Sequence, residues 1–153
     1  MTVPADWKGD AIYIHFGSVT SNLYLWVNGK FVGYSEDSKL GAEFELTKYL
    51  VPGQENKIAF QVFRWCDGSY LEDQDFWRLS GVARDVYMYA RPQTRLGDIR
   101  VVTELDDQYK DATLKVDAEV LNANGSTRVD IALTDPSGRT VATQEGLKPE
   151  KGP

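Results

Sequence analysis

The sequence predicts an all-β protein, and three features of its 153 residues support that fold class. Apolar and polar residues alternate along much of the chain, which is the two-residue period of β-strands. The pair Asn28-Gly29 lies between two apolar runs and indicates a hairpin, because both central residues of a type I′ turn need a positive φ. No long segment carries the apolar stripe of an amphipathic helix.

Six strands are predicted before residue 91. They lie at residues 11–16, 23–27, 30–34, around 43–46, 57–65 and 82–90. The strand around 43–46 is expected to extend the hairpin, and a single helical turn at 47–50 is expected to stop at Pro52-Gly53. Both faces of the 57–65 strand are rich in apolar residues, so we expect it to be a central strand of a β-sandwich.

A change of composition at Arg91-Pro92-Gln93 predicts a boundary between one domain at 1–92 and a second at 93–153. Aromatic residues become rare beyond this linker. Short strands are predicted there at 99–103, 113–121, 127–134 and 140–144. Four strands at this spacing suggest an immunoglobulin-like sandwich, but such a domain needs about 100 residues. We therefore expect a partial domain with an uncovered sheet edge.

The composition argues against several classes of partner. The formal net charge is −6, and Lys and Arg form no cluster, which disfavours nucleic acid and an anionic membrane surface. No apolar stretch is long enough to span a bilayer. Cys66 is the only cysteine, so the chain cannot form an internal disulfide, which favours the cytoplasm and leaves the bacterial periplasm open.

The segment from Arg64 to Arg78 is the most informative for chemistry. Four carboxylates fall within nine residues, and three aromatic residues lie among them. The acidic residues are Asp67, Glu72, Asp73 and Asp75, and the aromatic ones are Tyr70, Phe76 and Trp77. Carboxylates this close repel one another, so a hard cation such as Mg²⁺, Ca²⁺ or Na⁺ is one interpretation. A solvated loop whose charge is offset by arginines, with Arg64, Arg78 and Arg84 as candidates, is the other.

A sugar is a second possible ligand for this segment. Carboxylates accept hydrogen bonds from hydroxyl groups, and an aromatic ring covers the apolar face of a pyranose. The competing interpretation is that Phe76 or Trp77 belongs to the core, since adjacent strand residues point in opposite directions. A pair of these acids acting as the catalytic carboxylates of a glycosidase has only their spacing in its favour.

Other catalytic classes have little support. His15 is the only histidine, and in an alternating strand it is expected to be a surface or packed residue. With one histidine and one cysteine, zinc sites and Cys–His chemistry are effectively excluded. Neither standard form of the glycine-rich phosphate loop is present.

Three strings of residues carry a family resemblance. They are Asp-Gly-Ser-Tyr-Leu-Glu-Asp-Gln-Asp-Phe-Trp-Arg at 67–78, Ser-Gly-Val-Ala-Arg-Asp-Val at 80–86 and Leu-Trp-Val-Asn-Gly-Lys-Phe-Val-Gly-Tyr at 25–34. Together they closely resemble the large β-galactosidases of glycoside hydrolase family 2. The generic family has a looser pattern, whereas the long acidic string is typical of the lactose-cleaving branch.

The resemblance implies a domain plan and an activity. Residues 1–92 would be the later part of a jelly-roll sugar-binding domain, and 93–153 the start of an immunoglobulin-like domain. A (β/α)₈ barrel outside this chain would carry both catalytic glutamates, so no catalytic residue is expected here. The implied function is that of a non-catalytic portion of a retaining, homo-oligomeric β-galactosidase that cleaves β-galactosides such as lactose. The alternative is a free-standing carbohydrate-binding module.

The resemblance also implies roles for three acidic residues. Asp75 matches an aspartate that accepts a galactose hydroxyl and helps to hold Na⁺ or K⁺, and Asp67 matches a ligand of Mg²⁺. Glu36 stands where the family usually has a glutamine near that Mg²⁺, so it keeps an oxygen donor there and adds a negative charge. Further ligands of both ions would come from outside the chain, so both sites would be incomplete in this chain alone.

Overall fold

The structure, a computed structural model, describes residues 1–37, 39–72, 75 and 77–150. Within these ranges it is built almost entirely of strands, which confirms the predicted all-β class. The chain divides into two compact units, Met1–Pro92 and Gln93–Pro153. No helix in the described ranges has the length and apolar character needed to cross a bilayer.

Twelve strands, one short 3-10 helix (Ala5–Trp7) and one α-helical turn are present in the described part of the chain. The elements of the first unit are β1 Ala11–Phe16, β2 Val19–Thr20, β3 Leu23–Val27, β4 Lys30–Ser35, β5 Ala42–Glu45, β6 Ile58–Gln61, α1 Gly68–Leu71, β7 Gly81–Val82 and β8 Val86–Arg91. Those of the second unit are β9 Arg95–Leu105, β10 Ala112–Leu121, β11 Val129–Thr134 and β12 Thr140–Leu147.

Two three-stranded antiparallel sheets enclose the core of the first unit. One has the strand order β5-β1-β8 and the other β4-β3-β6. Alternate residues of the two central strands are buried between the sheets: Ile12, Ile14 and Phe16 of β1, and Leu23, Leu25 and Val27 of β3. Burying each such side chain contributes about 1.5–3 kcal/mol, so these two strands define the core.

The hairpin between β3 and β4 forms as the Asn-Gly pair predicts. Asn28 and Gly29 have φ values of 50° and 77°, which is the backbone of a type I′ turn. The side-chain nitrogen of Asn28, Nδ2, also donates to the Tyr49 carbonyl and to Asn56 Oδ1, each at 2.9 Å. Asn56 is buried and donates in turn to the Val51 carbonyl at 3.0 Å. The turn is therefore fixed to the 49–56 loop.

Three strand predictions need correction. β5 pairs with β1 rather than extending the β3–β4 hairpin. The predicted 57–65 strand is shortened to β6, which pairs only with β3 among the described strands and so is an edge strand. Beyond it the chain leaves the sheet, because Phe63 N donates to Asn22 Oδ1 at 3.0 Å. The predicted 82–90 strand is divided into β7 and β8.

The second unit consists of two antiparallel pairs, β9 with β10 and β11 with β12. All four predicted strands are present, and β9 and β12 are longer than expected. Apolar residues of β10, β11 and β12, among them Leu114, Val116, Ile131 and Leu133, line one shared depression. The assignment of this unit as part of an immunoglobulin-like domain stays a prediction.

Candidate functional site

The acidic loop begins at the single helical turn α1. Asp67 caps its start, where one side-chain oxygen accepts a hydrogen bond from Gly68 N at 3.2 Å. The Asp67 carbonyl accepts from Tyr70 N at 2.9 Å and from Leu71 N at 3.1 Å. Capping an N-terminus is the ordinary local role of aspartate, and it holds this carboxylate beside the turn.

Serines attach the loop to the sandwich. Ser69 Oγ donates to the buried Ser21 Oγ at 3.0 Å, and Ser21 Oγ donates to the Arg64 carbonyl at 2.7 Å. Cys66 N donates to Ser69 Oγ at 3.2 Å. Because Ser21 lies in the two-residue connection between β2 and β3, this chain of hydrogen bonds fixes the loop close to the start of a core strand.

A glycine allows the loop to approach Glu36, which follows β4. Gly68 N donates to Glu36 Oε1 at 2.9 Å. A Cβ at position 68 would lie 3.1 Å from that oxygen and 3.6 Å from Cys66 Sγ. A side chain at position 68 would therefore crowd the Glu36 carboxylate, while Cys66 Sγ would be at an ordinary contact distance, so residue 68 is suited to glycine.

Glu36, Cys66 and Asp67 form a compact cluster, in which one potential ligand atom of each residue lies within 4.8 Å of the others. The structure thus brings together the two residues predicted to lie near Mg²⁺. Two carboxylates are suitable donors for Mg²⁺, which usually keeps several waters and takes one or two protein carboxylates. The soft Cys66 sulfur is not a donor that Mg²⁺ favours, so only the oxygen atoms of this cluster fit that ion.

The Glu36 carboxylate is strongly stabilised in its charged form. Its pKa is lowered from 4.5 to about 2 by hydrogen bonds, of which the one with Asp67 is largest, followed by those with Tyr34, Cys66 and the Gly68 backbone. The pKa of Tyr34 is raised, first by partial desolvation and then by the hydrogen bond that the Tyr34 hydroxyl donates to Glu36. At neutral pH Glu36 is therefore anionic beside a second carboxyl group, an arrangement that a cation would stabilise.

Removing the Tyr34 hydroxyl is expected to raise the pKa of Glu36 towards its ordinary value. In the metal-free chain, a carboxyl ¹³C titration should place Glu36 near 2 and should move it upwards in Tyr34→Phe. Because the folded pKa is depressed, the stability that Glu36 contributes is present above pH 4.5 and is lost as the pH falls towards 2. Tyr89→Phe removes a hydroxyl that donates to Glu43 instead, so it is the matched control. An unchanged Glu36 titration in Tyr34→Phe would contradict the assignment of this hydrogen bond.

The remaining predicted site residues lie within α1 or after it. Asp75 is exposed at a bend. Tyr70 and Trp77 are 74% and 76% exposed, so Trp77 is not the core residue that the competing interpretation allowed. Asp73, Gln74 and Phe76, which belong to the same acidic string, lie outside the described residues. Carboxylate and aromatic groups are thus presented on one loop, as a sugar-contacting edge requires.

Arg64 and His15, which the sequence also singled out, both pack against aromatic rings. The Arg64 guanidinium, one proposed partner of the acidic loop, lies over the Trp65 ring at 5.2 Å. His15 stacks on Tyr87 at 5.0 Å, with Nδ1 3.0 Å from Glu43 Oε1. His15 is therefore a packed surface residue of β1, as predicted.

The sequence interpretation missed Tyr34 and Cys66 as members of the cluster. A signal existed for each. Tyr34 and Glu36 are two residues apart, the spacing that puts neighbouring strand residues on one side. Cys66 directly precedes Asp67. What could not be inferred from spacing was the fold-back that brings Gly68 onto Glu36.

The fold of the first unit defines a β-sandwich domain, and comparison with known families identifies the family to which it belongs. Residues 1–92 match the model of glycosyl hydrolases family 2, sugar binding domain. The chain therefore belongs to glycosyl hydrolase family 2.

Curated relatives agree with this membership. The chain is 53% identical over 121 residues to a β-galactosidase of Priestia megaterium, covering 79% of this chain and 12% of the relative. It is 48% identical over 138 residues to a β-galactosidase of Vibrio cholerae, covering 90% of this chain and 13% of the relative. The chain thus spans about an eighth of the length of these proteins.

Similar solved structures carry a different name. A β-glucuronidase of an uncultured Clostridium species is 28% identical, with a TM-score of 0.76, and the match covers 94% of this chain and 26% of that one. A β-glucuronidase of Ruminococcus gnavus is 26% identical, with a TM-score of 0.75 and coverage of 95% and 27%. A non-catalytic domain of a glycosidase fits both sets of relatives.

Proposed function

We propose that this chain is a non-catalytic portion of a retaining β-galactosidase, and that it supplies Asp75 to an active site housed in a separate (β/α)₈ barrel. The main support is the much higher sequence identity to the curated β-galactosidases than to the structurally similar β-glucuronidases. In this role Asp75 accepts a hydrogen bond from a galactose hydroxyl. The catalytic carboxylate pair that family chemistry requires comes from the barrel.

The proposal assigns two cations. Glu36 and Asp67 would bind Mg²⁺ through their carboxylate oxygens, and Asp75 would bind Na⁺ or K⁺. Each ion would supply positive charge that offsets the mutual repulsion of the acidic residues. The oxygen donors of the cluster fit this role, and the remaining ligands would come from the rest of a homo-oligomeric enzyme.

The direct test is an assay of the longer protein that contains this chain. We expect turnover of a chromogenic β-galactoside, dependence on Mg²⁺ and on Na⁺ or K⁺, and little turnover of the matching β-glucuronide. Preference for the glucuronide would reject the substrate assignment. Activity on the galactoside without any cation dependence would reject the metal assignment and leave the substrate assignment in place.

A free-standing carbohydrate-binding module is the second candidate, since Tyr70 and Trp77 are exposed beside carboxylates. The two candidates differ in what the 153-residue chain does alone. As one edge of a larger site, it should not hydrolyse a galactoside, and it should bind lactose poorly because a few contacts do not offset the entropy lost on association.

The measurement is a lactose titration followed by calorimetry and by the NMR shift of the Trp77 indole. We expect no saturation up to tens of millimolar lactose. Maltose, which lacks a terminal galactose, is the control ligand for non-specific contact with the ring. Specific saturation below about 1 mM, near −4 kcal/mol, would favour the binding module instead.

A further inference from the structure

The two outer faces of the sandwich in the first unit differ in chemistry. On the β4-β3-β6 sheet, the residues opposite the core are aromatic or uncharged by the register of the strands. We call this surface the aromatic face, and it is formed by Tyr24, Trp26, Phe31, Tyr34, Ala59 and Gln61, with Phe63 at its edge. On the β5-β1-β8 sheet, the corresponding surface is the charged face, formed by Tyr13, His15, Glu43, Glu45, Tyr87, Tyr89 and Arg91.

The rings of the aromatic face contact one another and remain accessible. Tyr24 lies 4.5 Å from Tyr34 and 5.9 Å from Phe63, and Trp26 lies 5.6 Å from Phe31, measured between ring centroids. Phe31, Phe63 and Tyr34 are 52%, 45% and 41% exposed. A contiguous group of exposed rings with no charged member has the composition of an interface core.

On the charged face, the aromatic side chains interact with charged neighbours. Tyr89 donates to Glu43 Oε1 at 2.9 Å, and His15 lies 3.0 Å from the same oxygen. The Arg91 guanidinium lies over the Tyr89 ring at 4.9 Å. Cross-strand pairs of this kind stabilise a solvated sheet surface without a partner.

We infer that the aromatic face is an intramolecular interface, covered by the part of the longer β-galactosidase that lies outside this chain. This inference rests on the proposed function. The face continues directly into the acidic cluster, because Tyr34 donates a hydrogen bond to Glu36. A segment of the longer protein that supplies the remaining ligands of the proposed cation site at the acidic cluster would therefore also contact the rings beside that cluster. The relatives, about eight times longer than the matched segment, have ample chain to form such a segment.

Hydroxyl-radical labelling read by mass spectrometry tests this inference. Trp26 and Phe31 of the aromatic face are expected to be labelled several-fold more slowly in the longer protein than in the 153-residue chain. Tyr87, on the charged face, is the internal control and should change little. Equal labelling of Trp26 and Phe31 in both proteins, in an enzyme that hydrolyses β-galactosides, would overturn the inference while leaving the proposed function intact.

A pair of variants separates docking from a change of fold. Because Phe31 also contacts Trp26 directly, Phe31→Gln should speed labelling of Trp26 by a larger factor in the longer protein than in the short chain, whereas Tyr87→Gln should not change it in either. Neither variant alters a residue placed in the proposed cation or substrate site, so both should leave the acidic cluster in place. An equal change of Trp26 labelling in the two proteins on Phe31→Gln would count against a docked surface.

Other occupants would give different results with the 153-residue chain alone. Slower labelling of Trp26 at higher chain concentration would identify a second copy as the occupant. Slower labelling in lactose would identify a sugar. Either outcome would overturn an intramolecular interface, for which labelling of the short chain is independent of its concentration and of lactose.

Discussion

Replacing Asp75 by asparagine in the longer protein that we propose to be a β-galactosidase is expected to lower kcat/KM by about 30- to 1000-fold, equivalent to roughly 2–4 kcal/mol. An amide keeps the size of the carboxylate but loses its charge, so it accepts a weaker hydrogen bond from a galactose hydroxyl. It is also a weaker ligand for Na⁺ or K⁺. The dependence of the rate on those ions should therefore become weaker in the variant, and the measurement is steady-state kinetics over a range of Na⁺ concentrations.

A second asparagine variant controls for the loss of one negative charge. Asp107 is exposed in the Gln93–Pro153 unit, and Asp107→Asn should leave both kcat/KM and its cation dependence unchanged. If Asp75→Asn behaved like Asp107→Asn, Asp75 would lie outside the active site. A large loss of activity with normal cation dependence would place Asp75 at the substrate but not at the ion.

The elements predictable from sequence are those with strictly local causes. β1 and β3 alternate between buried and accessible residues, and Asn28-Gly29 has the positive φ values that its residue types favour. The prediction of a strand over 57–65 failed at its second half. The apolar content of this segment indicated two covered faces, whereas the backbone of Phe63 and Arg64 forms hydrogen bonds with the side chains of Asn22 and Ser21. Period and composition do not reveal such non-local partners.

The candidate site was predictable in part. Family resemblance singled out Glu36 and Asp67, and the structure brings them together. The Tyr34 hydrogen bond and the closeness of Cys66 depend on how the loop folds onto the end of β4, which the spacing of residues does not specify. The roles of Asp67, Glu36 and Asp75 towards ions and substrate stay predictions. The contrast between the two outer faces could be recognised only from the strand register, because the strands of both sheets contain aromatic residues.

Replacing Phe16 by alanine should have the largest effect on stability within the first unit. Phe16 is fully buried, and its ring packs edge-on against Phe60 at 5.3 Å and Phe44 at 6.4 Å, one from each sheet. Removing a buried phenylalanine ring costs about 3–5 kcal/mol, because apolar burial is lost and a cavity remains. That is a large share of the roughly 5–15 kcal/mol that stabilises a typical domain.

Urea unfolding, monitored by tryptophan fluorescence, measures this loss of stability in the first unit. All four tryptophans, Trp7, Trp26, Trp65 and Trp77, lie in Met1–Pro92, so the signal reports the sandwich that positions the acidic loop. The midpoint for Phe16→Ala should fall by about 2 M urea for a slope near 2 kcal/mol/M. Phe31→Ala removes the same side chain from the exposed aromatic face and should change the midpoint little. Equal shifts in the two variants would mean that Phe16 does not join the two sheets.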